Sequence, residues 1–233
     1  DHGQCIHPEQ AYEDAVAAVL AYIEAGDIYQ ANLTFRADIH FAGNPLAVYA
    51  RLRSTASAGY GAFIWTGQQA IASLSPELFF ALRAGAVIAR PMKGTAARLP
   101  DPDADARAAQ VLAADPKQRA ENLMIVDLIR NDLSRVAAPG SVTVPDLFRV
   151  ESFPTIHQLV SDVAARLPEG AGAVDVLRAA FPCGSITGAP KVRAMEIIDE
   201  LEAEPRGVYT GSIGFIEPGG DAAFNVAIRT LVF

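Results

Sequence analysis

Two cysteines in 233 residues, Cys5 and Cys183, are too few to build a disulfide framework, and a reducing, cytoplasmic setting fits that scarcity. No apolar run approaches the ~20 residues needed to cross a bilayer, so no membrane is expected as a partner. Residues 1–20 also lack the basic-then-apolar pattern of a secretory leader. Lysine- or arginine-rich stretches are missing too. The formal charge of −8 argues against a nucleic-acid partner. What is present is a core: 51% of the residues are hydrophobic, and we read residues 1–233 as one domain.

The periodicity divides this chain into recognisable elements. A helix is expected from Pro8 to Ala25, with proline in its first turn, Gly26 at its end, and Val16, Val19, Leu20 and Ile23 as its apolar stripe. Residues 30 to 41 alternate, with Leu33, Phe35, Ala37, Ile39 and Phe41 on one face, which predicts a half-buried strand carrying Gln30 on its polar face. From Gly61 to Ala89, the turn signals Thr66-Gly67-Gln68 and Arg83-Ala84-Gly85 predict three or four strands in antiparallel hairpins. Residues 96 to 106 read as a polar, proline-broken loop without a chemical signal. Asp115-Pro116-Lys117-Gln118 reads as an N-cap, a proline at the first helical position and a glutamine closing a capping box. Residues 207 to 216 are expected to return through 217–221 into 222–233 as a hairpin. Helices segregated between antiparallel hairpins make the fold class α+β.

Chemistry concentrates at a few positions. Arg90-Pro91-Met92-Lys93-Gly94-Thr95 places one lysine in a Pro/Gly-bracketed turn after an apolar strand, where partial desolvation favours a neutral, nucleophilic amine; the plain alternative is a solvated surface charge. Ser75-Pro76-Glu77-Leu78-Phe79-Phe80 sets one carboxylate among apolar residues, which suits a proton donor, or else an edge-strand glutamate. Glu121 shares a helix face with Met124, Ile125 and Leu128, so it is either bound to a ligand or paired with Arg119 or Arg130. Gly184-Ser185-Ile186-Thr187-Gly188-Ala189-Pro190-Lys191 has the wrong spacing for a nucleotide phosphate loop, but anion binding stays open beside an ordinary capping turn. Arg229, in an apolar strand, needs a carboxylate partner. His157 taken by itself reads as a hydrogen-bonded core histidine.

These segments, with Gly26-Asp27-Ile28-Tyr29-Gln30, Asp127-Leu128-Ile129-Arg130-Asn131-Asp132 and Arg206-Gly207-Val208-Tyr209-Thr210-Gly211, resemble in order and over nearly the whole chain the chorismate-utilising enzymes, the family that holds the anthranilate, isochorismate, salicylate and aminodeoxychorismate synthases. The resemblance implies two antiparallel sheets packed face to face with helices outside and the active site between them. Gln30 stands where the water-adding members carry a general-base lysine, so activated water is not the expected nucleophile. Lys93 stands where anthranilate synthases typically carry alanine, which resembles the members that aminate chorismate at C4. Anthranilate-type amination at C2 and a non-catalytic chorismate-binding subunit are the alternatives.

By the same resemblance, Lys93 and Glu77 are catalytic. Gly94, Thr95, His157, Gly184, Ser185, Thr187, Tyr209 and Arg229 contact chorismate, and Glu121 is a ligand of Mg2+, with Gln118 where several relatives carry a further metal-side glutamate. Ammonia is expected from a glutamine amidotransferase subunit, because neither Cys5 nor Cys183 sits in a nucleophile-elbow context. The chain is expected to lack the family's N-terminal region, and to stop at Phe233 before its glycine-rich turn and C-terminal acidic helix.

Overall fold

A computed structural model of the chain describes residues 4–5, 9–56 and 58–233. The expected start of the first helix at Pro8 lies outside the described residues. In chain order the elements are β1 (Gln4–Cys5), α1 (Glu9–Glu24), β2 (Gln30–Ala31), β3 (Ala37–Asp38), α2 (Pro45–Ala56), β4 (Tyr60–Trp65), β5 (Ala70–Ser75), β6 (Leu78–Arg83), β7 (Ala86–Arg90) and β8 (Met92–Ala97). There follow α3 (Pro102–Ala114), α4 (Pro116–Ser134), β9 (Thr143–Ser152), β10 (Ile156–Arg166), α5 (Ala173–Ala180), a 3-10 turn at Gly184–Ile186, β11 (Gly188–Ala189), α6 (Lys191–Leu201), β12 (Gly214–Ile216), β13 (Ala222–Asn225) and β14 (Thr230–Val232). The fold is α+β, as expected.

The larger sheet is antiparallel and runs β12-β13-β6-β7-β10, with β8 collinear with β7 on one edge of β10 and β9 along the other. A three-stranded antiparallel sheet runs β14-β5-β4. β5 is buried along its whole length: Ala72 and Leu74 pack with Tyr49 of α2, while Ser73 and Ser75 bond to Asn225 and Val226 at the end of β13. The small sheet therefore lies between a helix and the large sheet. On the large sheet, Ile125, Val126, Ile129 and Leu133 of α4 join Phe79, Phe80, Val87 and Val163 in the main core.

Two strand pairs cross from one sheet to the other at the same place. β5 passes into β6 through Pro76 and Glu77, and opposite it β13 passes into β14 through residues 226–229. The Val226 N–H donates to Glu77 O at 3.1 Å, and Ser75 Oγ donates to Val226 O at 2.6 Å. This corner is where Glu77 and Arg229 sit.

Four sequence expectations change. Leu20 is exposed and drops out of the α1 stripe, which Tyr22 joins. Residues 30–41 form only the short β2 and β3, because side chains take the place of a ladder partner between them: Glu202 accepts from Thr34 N at 2.9 Å, and Arg206 donates to Asn32 O at 2.6 Å. Residues 102–106 open α3, capped by Asp101 with Pro102 in its first turn, the same signal that starts α4. The last segment is not one hairpin: 207–213 are irregular, and after β13 the chain leaves for the other sheet.

Candidate active site

A cavity of about 440 Å³ opens at the sheet corner, and Glu77, Lys93, Ser185, Tyr209 and Arg229 all line it. Lys93 reaches it by a bulge rather than the expected turn. On β10, Gln158 faces Thr95 and Val160 faces Met92, so Lys93 and Gly94 together oppose Leu159 alone. Such a bulge re-aims a side chain out of the ladder. Gly94 permits it, with φ +100°; a Cβ there would stand 3.0 Å from Gln118 Oε1 and 3.2 Å from Leu159 Cβ. Gln118 thus packs toward Gly94 instead of closing its capping box, since the Asp115 N–H donates to Leu112 O.

Glu77 is only 5% exposed, and its Oε1 has no hydrogen-bond partner. Burial raises its pKa to about 7; the Ser185 hydroxyl, the Lys93 ammonium and the Met92 N–H oppose that rise without cancelling it. The result is a buried acid whose free oxygen belongs to a cavity able to receive its proton.

Lys93 and Arg229 are the cationic side chains of the lining, and Glu77 is its carboxylate. Arg229 is exposed rather than strand-borne, held at φ 50° in the kink between β13 and β14, and no carboxylate of the described residues pairs with it. The carboxylate partner expected for it is not found among the described residues. Two cations beside one acid that burial tends to neutralise leave the cavity electrostatically favourable to an anionic ligand.

Other expected contacts stand behind this wall. Both ring nitrogens of His157 are engaged, Nδ1 with Ser152 Oγ at 2.8 Å and Nε2 with Asp105 Oδ1 at 2.9 Å. The ring is buried and off the cavity, so His157 is a core histidine. Strand alternation puts Gln158 on the cavity instead, a neighbour that period-two reasoning could have found. Thr95 donates to Gln158 Oε1 at 3.3 Å. Gly184 makes room for Leu128, whose Cδ2 would lie 2.6 Å from a Cβ there. Thr187 Oγ1 donates back to Cys183 O at 3.2 Å. The loop that bears Ser185 is pinned by Lys191, which bonds Asp132 at 2.5 Å and the Ala180 and Pro182 carbonyls, and by Arg206, which bonds Ile186 O at 2.9 Å and pairs with Glu202. Asn32 and Ile228 line the cavity without a sequence signal.

A profile for chorismate binding enzymes matches residues 2–233. This chain belongs to that family. It is 52% identical over 222 residues to aminodeoxychorismate synthase component 1 of Klebsiella aerogenes, covering 95% of the chain and 49% of that protein. Against anthranilate synthase component 1 of Aquifex aeolicus it is 43% identical over 225 residues, 97% of the chain and 46% of that protein. The crystal structure of anthranilate synthase component I from Streptococcus pneumoniae superposes with a TM-score of 0.92 at 35% identity, over 99% of the chain and 51% of that structure. The chain spans about half the length of the curated relatives it matches.

The magnesium expected at Glu121 finds a poor donor set in this member of the chorismate binding family. Glu121 is half-buried on α4 and stands outside the cavity lining. Neither arginine proposed as its partner takes it up: Arg130 pairs with Asp127, and Arg119 stacks over Phe148. Among the described residues, no three His, Cys, Asp or Glu side chains gather as a metal site. One carboxylate falls short of the octahedral oxygen shell that Mg2+ requires, so the residues present do not fit the ion by themselves.

Proposed function

We propose that this chain is the chorismate-binding catalytic domain of an aminodeoxychorismate synthase component I, replacing the C4 hydroxyl of chorismate with ammonia to give 4-amino-4-deoxychorismate. The observation that carries the reading is the buried, proton-holding Glu77 beside Lys93 in a cavity whose other charge is Arg229. Chorismate carries two carboxylates, which suits those cations.

Once its ammonium has released a proton to solvent, the Lys93 amine attacks C2, the ring double bonds shift, and the C4–O bond breaks as Glu77 gives its proton, releasing water. Ammonia then adds at C4, the double bonds shift back, and the C2–N bond to Lys93 breaks. The added nitrogen loses a proton to the Glu77 carboxylate, which resets the acid. Arg229, Ser185 and Tyr209 hold substrate. Gly94, Thr95, Gly184 and Thr187 shape the bulge and loop behind them, and His157 acts at one further remove. Magnesium, expected with Glu121, needs ligands from beyond this chain or from the substrate.

Ammonia comes from a glutamine amidotransferase subunit in this reading; the Klebsiella relative is named component 1, a numbered part of a larger synthase. Among the described residues no helix is long and apolar enough to cross a membrane, and we place the protein in the cytoplasm. Product analysis with chorismate, ammonium and magnesium decides the matter. 4-Amino-4-deoxychorismate supports the proposal, anthranilate transfers it to C2 amination, and binding without turnover reduces the chain to a chorismate-binding module.

A further inference from the structure

The tip of the β9–β10 hairpin supplies a whole side of the cavity, through Phe153, Pro154, Thr155 and Ile156. Of its own it has one closing bond, Phe153 N–H to Ile156 O at 2.8 Å. Ile156 also pairs with Ala97 at the end of β8, and further ties come from the residue that follows. Arg98 donates its backbone N–H to Thr155 O at 3.1 Å and its Nη1 to Phe153 O at 2.9 Å. The guanidinium is fixed by Asp105 on α3, which accepts from Nε at 2.9 Å and is itself fixed by the Leu99 N–H at 2.8 Å. Asp105 also holds His157 at 2.9 Å, and His157 holds Ser152 at 2.8 Å. Both flanks of the tip therefore lead to one carboxylate. These donors, Arg98 first, hold the Asp105 carboxyl well below the usual carboxylate range, which favours the anion that the guanidinium pairs with.

We propose that Arg98 and Asp105 form a clamp that positions the hairpin tip as a wall of the cavity, and so sets the affinity for the substrate without touching it. The inference rests on the reading of the cavity as a chorismate site. Both are positioning residues: neither lines the cavity; Arg98 reaches it through the Phe153 carbonyl, and Asp105 acts through Arg98 and His157. Arg98 directly follows β8, the strand that carries the Lys93 bulge, so one short segment sets both the lysine and the facing wall.

The test uses Arg98→Met and Asp105→Asn in this chain, with two readouts. Hydrogen–deuterium exchange at residues 153–156 should quicken by about tenfold or more, with α4 amides unchanged, because the charge-assisted bond from Arg98 to Phe153 O is lost in one variant and loses its anchor in the other. Chorismate affinity should fall about tenfold with kcat kept within about twofold, and Arg98→Lys should recover part of it, since one ammonium can serve Phe153 O or Asp105 but not both. Unchanged exchange at the tip overturns the clamp, and so does exchange that rises equally in α4, which would make the pair merely structural. A loosened tip with undiminished chorismate affinity overturns its role in binding. If the unsubstituted chain fails to bind chorismate, the reading of the cavity falls, and the exchange result still decides the clamp.

Discussion

Burial that readies Glu77 as an acid also makes it a burden on the fold. Its pKa rises from 4.5 to about 7 on folding. Between those pH values the folded chain keeps a proton that the unfolded chain has released, so stability falls as pH rises through that window and levels off above it. The difference is worth about 3 kcal/mol, a large share of a typical 5–15 kcal/mol total. Glu77→Gln is neutral throughout, so urea unfolding at pH 4.5 and pH 8 should show the loss in the parent and not in the variant; parallel behaviour would mean Glu77 is not buried as an acid. Turnover with chorismate and ammonium should drop roughly 10²- to 10⁴-fold in Glu77→Gln while binding persists, and parent turnover should decline above pH about 7. Lys93 has a separate signature. Chorismate without ammonia should leave an adduct of chorismate less water on Lys93 in intact-protein mass spectrometry, absent from Lys93→Ala. An adduct mapped to another lysine, with Lys93→Ala fully active, would remove Lys93 from the mechanism.

Among elements, the β8 bulge decides where Lys93 points. Gly94→Ala meets both a left-handed φ of +100° and side-chain atoms of Gln118 and Leu159 at 3.0 to 3.2 Å. The cost should be of order 1–3 kcal/mol. A strand that escapes it by resuming a regular ladder turns Lys93 off the cavity, so kcat should fall about 10²-fold, more than chorismate affinity does. Normal kcat with a lowered melting temperature would show that the bulge serves the fold alone. Local signals made part of this legible in advance. The hairpins over β4–β7 follow from turn residues close in sequence, and α4 from Asp115-Pro116. Long-range substitution hid the rest. The alternation of residues 30–41 is real, but Glu202 and Arg206, distant in sequence, occupy the groups a strand partner would use. Asp101-Pro102 was as readable as Asp115-Pro116, yet the other proline and the acidic residues of 96–106 masked it, and with it Asp105. The left-handed backbone of Arg229 depends on where two sheets part, which no local pattern encodes.

For the molecule as a whole, net charge and cavity charge have opposite signs. The chain carries a formal −8, while the cavity offers Lys93 and Arg229 against a single buried acid. A dianion approaching from bulk solvent therefore meets repulsion first and attraction only within the cavity. Screening acts unequally on the two: the Debye length shrinks from about 30 Å at 0.01 M to about 8 Å at 0.15 M salt, which removes the long-range field and leaves contacts of a few ångströms largely intact. Chorismate association should therefore speed up over that range of salt, the reverse of the usual steered encounter, while the dissociation rate changes less. Stopped-flow measurement of both rates at the two salt concentrations checks this. An association rate that falls with salt would mean that Lys93 and Arg229 project their field beyond the cavity and outweigh the acidic surface, so that charge draws the substrate in from a distance.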